Sequence, residues 1–254
     1  MPSPTLRIAA RAPGQPEIFR SIQGEGVNAG RVRAFVRLSG CNLHCVWCDT
    51  PYTWNWQGTK WPHERAPKYD QASETIEMEV DAVAAAVAAL PAEDPTEAVV
   101  ITGGEPLAQM PGLIALAEQL KQAGRLIEIE TNGSIPPDPR LAELVGLFMV
   151  SPKLAHSGNA PALALRATPL AAFAALDSAV FKFVARTPAD LGEVAAVAER
   201  HAIPAERIII IMPEGTDSRT LIDRGAALAD AVLERGYGMS DRLHIHLFGD
   251  TRGT

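Results

Sequence analysis

With 254 residues, of which 47% are hydrophobic and 21% charged, the chain has the makeup of one soluble globular core. A net charge of -7 argues against non-specific binding to nucleic acid or to an anionic membrane. No stretch reaches the roughly 18–20 uninterrupted apolar residues of a membrane span, and no apolar run suited to a secretory leader follows Met1. Three clustered cysteines make no disulfide framework, so a reducing cytoplasm is the expected compartment.

Residues 33–38 read as the first buried strand, leading into the loop that holds Cys41, Cys45 and Cys48. The stretch 49–73 fits no strand or helix period. Rich in tryptophan, proline and lysine, it reads as an insertion or lid beside the cysteine loop, with a surface excursion or partner-binding patch as the plainer alternative. Residues 79–90 have high helix propensity. Residues 97–102 (EAVVIT) form an apolar run ending in Gly103-Gly104, a buried strand followed by a loop, and 111–122 read as a helix ended near Gly124. Alternation in 126–131 (LIEIET) predicts a strand, 140–144 a short helix and 147–150 another strand. Residues 179–184, 207–212 and 243–248 repeat the strand pattern, separated by helices near 188–201 and 218–234.

Strands alternating with helices imply right-handed βαβ units and a largely parallel sheet, an α/β fold in a single domain over 1–254 with 51–73 inserted. Chemistry in such folds gathers on loops at the carboxyl ends of strands. The unusual motifs all fall there: the cysteines, Gly103-Gly104-Glu105-Pro106, Thr131-Asn132-Gly133, Ser151-Pro152-Lys153 and Met212-Pro213-Glu214-Gly215.

Iron–sulfur clusters are held by cysteine thiolates, usually four. Three thiolates at C-x3-C-x2-C spacing, with no fourth cysteine in the chain, can hold a cubane cluster and leave one iron open. A closed zinc site needs a fourth ligand; His44 is available, but its place between two cysteines makes simultaneous ligation awkward.

The cysteine spacing, with Trp47 before the last cysteine and Gly103-Gly104-Glu105-Pro106 at the next strand end, resembles the radical S-adenosylmethionine superfamily. The resemblance implies a partial (β/α) barrel reduced in helices. It also implies a [4Fe–4S] cluster on Cys41, Cys45 and Cys48, whose fourth iron is chelated by S-adenosylmethionine, which is cleaved to a 5′-deoxyadenosyl radical. Residues 17–26 (EIFRSIQGEG), Arg37 before the cluster, Cys48-Asp49-Thr50 after it, and the later 130–133 and 150–153 runs narrow the likeness. They resemble the branch of lyases that turns 6-carboxy-5,6,7,8-tetrahydropterin into 7-carboxy-7-deazaguanine, by hydrogen abstraction and a magnesium-dependent ring contraction that releases ammonia, on the route to queuosine and related nucleosides. A glycyl-radical activase, which shares the cysteine spacing, and a non-catalytic three-cysteine metal module are the alternatives.

That resemblance assigns catalytic work to Gln23, Glu25 and Arg37, and substrate contacts to Ile22, Gln23, Gly24, Arg37, Thr102 and a histidine near the end of the chain, His246 in preference to His244. Arg37 has a fork suited to a carboxylate; inside an apolar strand it would otherwise need a buried acid. Thr50 corresponds to the magnesium ligand. The stretches Trp47, Cys48 and Asp49; Gly103, Gly104 and Glu105; Ser151, Pro152 and Lys153; and Met212, Pro213, Glu214 and Gly215 correspond to the S-adenosylmethionine site. Glu130 and Asn132 are further candidates there, and residues 250–254 are close enough to fold back over it. The implied partners are the pterin and an electron donor such as flavodoxin or ferredoxin, with a homodimer as the assembly.

Overall fold

β-branched and aromatic residues at alternate positions give the strands two unlike faces, and those faces organise the molecule. The computed structural model describes residues 4–91, 97–204 and 209–254. An amino-terminal set, β1 (Thr5–Ala12), β2 (Gln15–Pro16) and β3 (Ile18–Ile22), precedes β4 (Val32–Leu38). After the cysteine loop and its insertion come α1 (Gln71–Glu74), β5 (Thr75–Glu79), α2 (Val80–Ala88), β6 (Val99–Gly103), α3 (Met110–Gln122), β7 (Ile127–Thr131), α4 (Pro139–Leu144) and β8 (Leu147–Val150). The chain continues through α5 (Pro161–Ala164), α6 (Ala167–Ala174), β9 (Ala179–Ala185), α7 (Asp190–Arg200), β10 (Ile209–Pro213), α8 (Ser218–Arg235), β11 (Gly238–Met239) and α9 (Leu243–Phe248).

The sheet order is β11-β10-β9-β8-β7-β6-β4-β1-β2, with β3 on β4 and β5 on β1. Along the run β4-β6-β7-β8-β9-β10-β11 every pairing is parallel and, with β5 set aside on β1, each strand lies beside the next in sequence, the winding of a barrel; the two ends do not meet. Val36, Leu38, Val99, Ile101, Ile127, Ile129, Phe148, Val150, Phe181, Phe183 and Ile211 form a buried layer with Leu113, Leu116, Val194 and Leu228 of the helices. Burying each such side chain contributes about 1.5–3 kcal/mol. Helix ends are set locally: Asp138 caps α4 through Arg140 N at 2.8 Å, and Asp217 caps α8 through Thr220 N at 2.9 Å.

The predicted strand at 243–248 is the helix α9. Its N–H groups bond within the segment, Ile245 to Arg242 O and Gly249 to Ile245 O, and the sheet beside it ends at the two-residue β11. The strand predicted at 207–212 is seen as Ile209–Pro213; residues 207 and 208 lie outside the described residues. The amino-terminal strands and β5 were not predicted. The 51–73 segment packs behind the cysteine loop: Tyr52, Thr53, Trp54 and Asn55 are buried, and the Lys68 ammonium donates to Asn55 Oδ1, Thr59 Oγ1 and the Trp61 carbonyl at 2.6–2.8 Å.

Candidate active site

The second face of the same strands builds the cavity. Where β4 buries Val36 and Leu38 under helices, Phe35 and Arg37 face the other way, followed across the sheet by Thr102, Glu130, Met149, Lys182, Val184 and Met212. Arg37 pairs in register with Thr102, and Glu130 with Met149. One cavity, open at the strands' carboxyl ends, is lined by these residues together with Ile22, Gln23, Gly24, Glu25, the three cysteines, Asp49 and Thr50.

Neighbouring backbone holds the cysteine loop: Gly40 N donates to Thr53 O, Val46 N to Ser157 O, and His63 Nε2 to the Cys48 carbonyl at 2.8 Å. Each sulfur has a polar neighbour. The Asn159 amide donates to Cys45 Sγ at 3.2 Å, Leu43 N to Cys41 Sγ at 3.5 Å, and the Thr50 hydroxyl lies 3.6 Å from Cys48 Sγ. Burial raises all three thiols, Cys45 to about 12, so a positive metal group is needed to make them thiolates. Among the described residues no three His, Cys, Asp or Glu side chains converge on a single ion. Three cysteine sulfurs, each with a polar neighbour, suit a cluster that takes three protein ligands. His44 is taken up by stacking on Trp61, with ring centroids 4.5 Å apart.

Gly103 and Gly104 weld two loops together. A Cβ on Gly103 would strike the Leu38 carbonyl and one on Gly104 the Gly40 carbonyl, while Gly104 N donates to Leu38 O at 2.9 Å and Glu105 N to Gly40 O at 2.8 Å. The glycines are thus required by the packing of this loop on the cysteine loop, which brings the Gly104 backbone to the cavity wall. Glu105 does not line the cavity. Fully buried, its carboxylate accepts from Leu107 N, Asn132 N and the Thr131 hydroxyl at 2.7–3.0 Å and orders the two loops.

Glu25 lies between two cations, paired with the Lys182 ammonium through Oε2 and with Arg242 Nε at 3.0 Å through Oε1; Arg242 also pairs with Asp49. Burial by itself would raise the Glu25 pKa, but Lys182 and Arg242 outweigh it and hold the carboxyl well below the usual range. Gln23 Nε2 donates to Glu130 Oε1 at 3.1 Å and its Oε1 accepts from Glu25 N, while Thr102 Oγ1 donates to Glu130 Oε2 at 2.8 Å. His244 rests on Gly24, where a Cβ would collide with its ring, and burial lowers its pKa. It lines the cavity; His246 instead bonds Ser218 Oγ and Asp241 at 3.0 Å, outside the cavity lining. Of the two histidines, His244 and not the preferred His246 is the one that lines the cavity. Lys182 and Arg242 carried no motif and His244 was the less favoured of two histidines, although a lysine inside the AVFKFVA strand of β9 poses the same question as Arg37 in β4.

Arg37 has the buried acid that its place in a strand demands: Nε donates to the fully buried Glu17 at 2.9 Å, and Tyr52 Oη donates to the same carboxylate. The fork is only half used, because no acceptor among the described residues binds its two terminal nitrogens. Lys153 donates to Ser151 Oγ at 2.8 Å and lies 6.0 Å from the Trp47 ring centroid; both residues line the cavity with Met212 and Pro213. Pro152 and Gly215 do not. Glu214 reaches the cavity wall, but Arg65 at 2.7 Å, Arg186 at 3.2 Å and Arg224 surround its carboxylate, leaving it a brace between the insertion and the β10 loop. Thr254 reaches the lining as the chain folds back, with the Arg252 guanidinium 3.6 Å from the Tyr52 ring centroid.

An open sheet wound strand by strand, with three cysteines on the loop after its first parallel strand, defines the radical S-adenosylmethionine class, and residues 35–156 match the Radical SAM superfamily. The crystal structure of QueE from Escherichia coli shares the fold, with a TM-score of 0.66 at 22% identity over 94% of this chain and 95% of that one. The chain is 36% identical to the 7-carboxy-7-deazaguanine synthase of Pyrobaculum aerophilum, covering 93% of this chain and 95% of the relative. It is 34% identical to the enzyme of that name from Rhodopirellula baltica (94% and 87% covered) and 33% to that from Halobacterium salinarum (94% and 91%). The chain belongs to the 7-carboxy-7-deazaguanine synthase family. That membership sets aside the activase and metal-module alternatives.

Proposed function

We propose that the cavity binds 6-carboxy-5,6,7,8-tetrahydropterin and converts it to 7-carboxy-7-deazaguanine with loss of ammonia. One observation carries the substrate assignment: an ionised acceptor, Glu25, and a half-free guanidinium, Arg37, line the same cavity as the three cysteines. Arg37 offers two N–H groups to the substrate carboxylate. Glu25 accepts from the amino-bearing edge of the ring, and the Ile22 and Gly24 backbone with the Gln23 amide covers the rest of that edge. Thr102, tied to Glu130, supplies a hydroxyl to the ring, and His244 closes over it from α9.

Cys41, Cys45 and Cys48 would hold the [4Fe–4S] cluster, with S-adenosylmethionine against Trp47, Gly104, Ser151, Lys153, Met212 and Pro213. When bound, that pair supplies reductive cleavage of the sulfonium and a carbon radical that takes hydrogen from the substrate. Lys153 provides a positive charge for the cosubstrate carboxylate. Thr50 fits a magnesium ion that keeps most of its waters and shares the substrate carboxylate, since among the described residues its hydroxyl hydrogen-bonds the Cys48 thiol alone. Among the described residues no helix is long and apolar enough to cross a membrane. A cytoplasmic homodimer reduced by a flavodoxin- or ferredoxin-type donor completes the reading.

Anaerobic reconstitution tests it. Iron-loaded protein given reductant, S-adenosylmethionine, magnesium and the carboxytetrahydropterin is expected to release 7-carboxy-7-deazaguanine, detected by mass spectrometry. Formation of 5′-deoxyadenosine without that product overturns the substrate assignment.

A further inference from the structure

We propose that Lys182 is a positioning residue that sets substrate specificity: with Arg242 it clamps the Glu25 carboxylate as a fixed pair of acceptors, selecting an amino-bearing heterocycle over its oxo analogue. The inference rests on the reading of Glu25 as the contact to the amino edge. Lys182 occupies the cavity-facing position of β9 between Phe181 and Phe183, which are fully buried on the opposite face, and is itself only 5% exposed. A lysine so placed is costly unless paired. Its partner is Glu25 Oε2, while Arg242 takes Oε1. Each carboxylate oxygen therefore spends one lone pair on a protein cation and keeps one for a ligand.

The geometry has a chemical consequence. An amino group beside a ring N–H presents two donors side by side, matching two fixed acceptor oxygens. An oxo group at the same place presents an acceptor to an acceptor in a desolvated site, which costs binding. The Glu25 carboxyl could donate to that oxo group only when protonated, and the two cations oppose the proton. The other charged or titratable neighbours are His244 beside Arg242, Asp49 from the cysteine loop on the far side of Arg242, and Glu130 from β7 near Lys182. None of these hydrogen-bonds the Glu25 carboxylate; among the described residues Lys182 and Arg242 alone do.

The test uses the reconstituted enzyme with Lys182→Met, Lys182→Arg, Glu25→Gln and the double variant Glu25→Gln/Lys182→Met. Affinities are measured for the carboxytetrahydropterin and for the analogue whose 2-amino group is replaced by oxo, with iron content and substrate-free 5′-deoxyadenosine formation as controls. In Lys182→Met the preference for the amino compound is expected to fall about tenfold and KM to rise about 30-fold, with iron unchanged. Lys182→Arg recovers most of both. Against Glu25→Gln the lysine change adds less than about threefold, because it acts through that carboxylate. Unchanged selectivity in Lys182→Met, or equal losses in both backgrounds, overturns the proposal. Should Lys182→Met fail to fold, the double variant, which removes opposite charges together, decides: selectivity equal to Glu25→Gln supports the clamp, and wild-type selectivity overturns it. Wild-type enzyme that makes no deazapurine removes the functional reading and this inference with it; wild-type turnover with unmoved selectivity removes this inference alone.

Discussion

Glu25, half-buried, and Glu214, buried, are both acids at the mouth of the sheet, each among cations, yet their surroundings differ in one respect. Glu214 has Arg65, Arg186 and Arg224 around its two oxygens, and its backbone carbonyl also accepts from Arg224 at 2.5 Å. Glu25 has one cation per oxygen and an open side on the cavity. A carboxylate ringed by three arginines holds structure; one with a single cation on each oxygen and a side turned to the cavity keeps a lone pair on each to read a ligand. Glu105, fully buried away from the cavity and held by two backbone N–H groups and a hydroxyl, belongs with Glu214.

Neutralising each acid sharpens that contrast. Glu25→Gln is expected to lower kcat/KM by roughly a hundred- to a thousandfold while iron binding survives; activity within threefold of wild type would break the comparison. Glu214→Gln should do the opposite, costing about 3 kcal/mol of stability, or roughly 6–12 °C in Tm for a chain of this size, with amino-over-oxo selectivity intact. Arg37 falls between the two cases. Arg37→Met should weaken substrate binding and also lower Tm, because Glu17 is left buried and unpaired; adding Glu17→Gln should restore Tm without restoring KM, measured on the same preparations. Acidification offers a milder probe. Glu25 is depressed, so its stabilising contribution is complete above the ordinary carboxylate range and is lost as pH falls through its lower folded-state value. Unfolding scans between neutral and acid pH should therefore show a steeper fall for wild type than for Glu25→Gln. Smallest is Arg65→Gln: with its side chain 40% exposed, about 1 kcal/mol or less is expected.

The legible parts of the site are those written consecutively. Cys41, Cys45 and Cys48, the Gly103-Gly104 pair and the Gln23-Gly24-Glu25 turn are local motifs, and each reaches the cavity. Lys182, Arg242 and His244 stand alone, more than 100 residues from Glu25, and only the sheet brings them together. Glu105, Glu214 and Glu25 look equivalent in sequence because what surrounds each carboxylate is a tertiary property. His246 was preferred over His244 on the expectation of a strand; in a single helical turn the two point to different neighbours. The parallel strands were legible through apolar runs or clean alternation, whereas β1 mixes exposed arginines with buried residues, β5 sets exposed Glu77 and Glu79 among half-buried ones, and both were passed over.

The two-faced strands bear on how the sheet finds its alignment. A slip of one residue in β4, β7 or β9 would turn Arg37, Glu130 or Lys182 into the apolar layer beneath the helices and bring Val36, Ile129 or Phe181 into the cavity. Burying one such unpaired charge costs several kcal/mol, comparable to the whole margin of stability of a domain. The residues that meet the ligand thus also proofread the register of the strands that carry them, and mutations that empty the cavity of charge should loosen the alignment of the sheet as well as the chemistry.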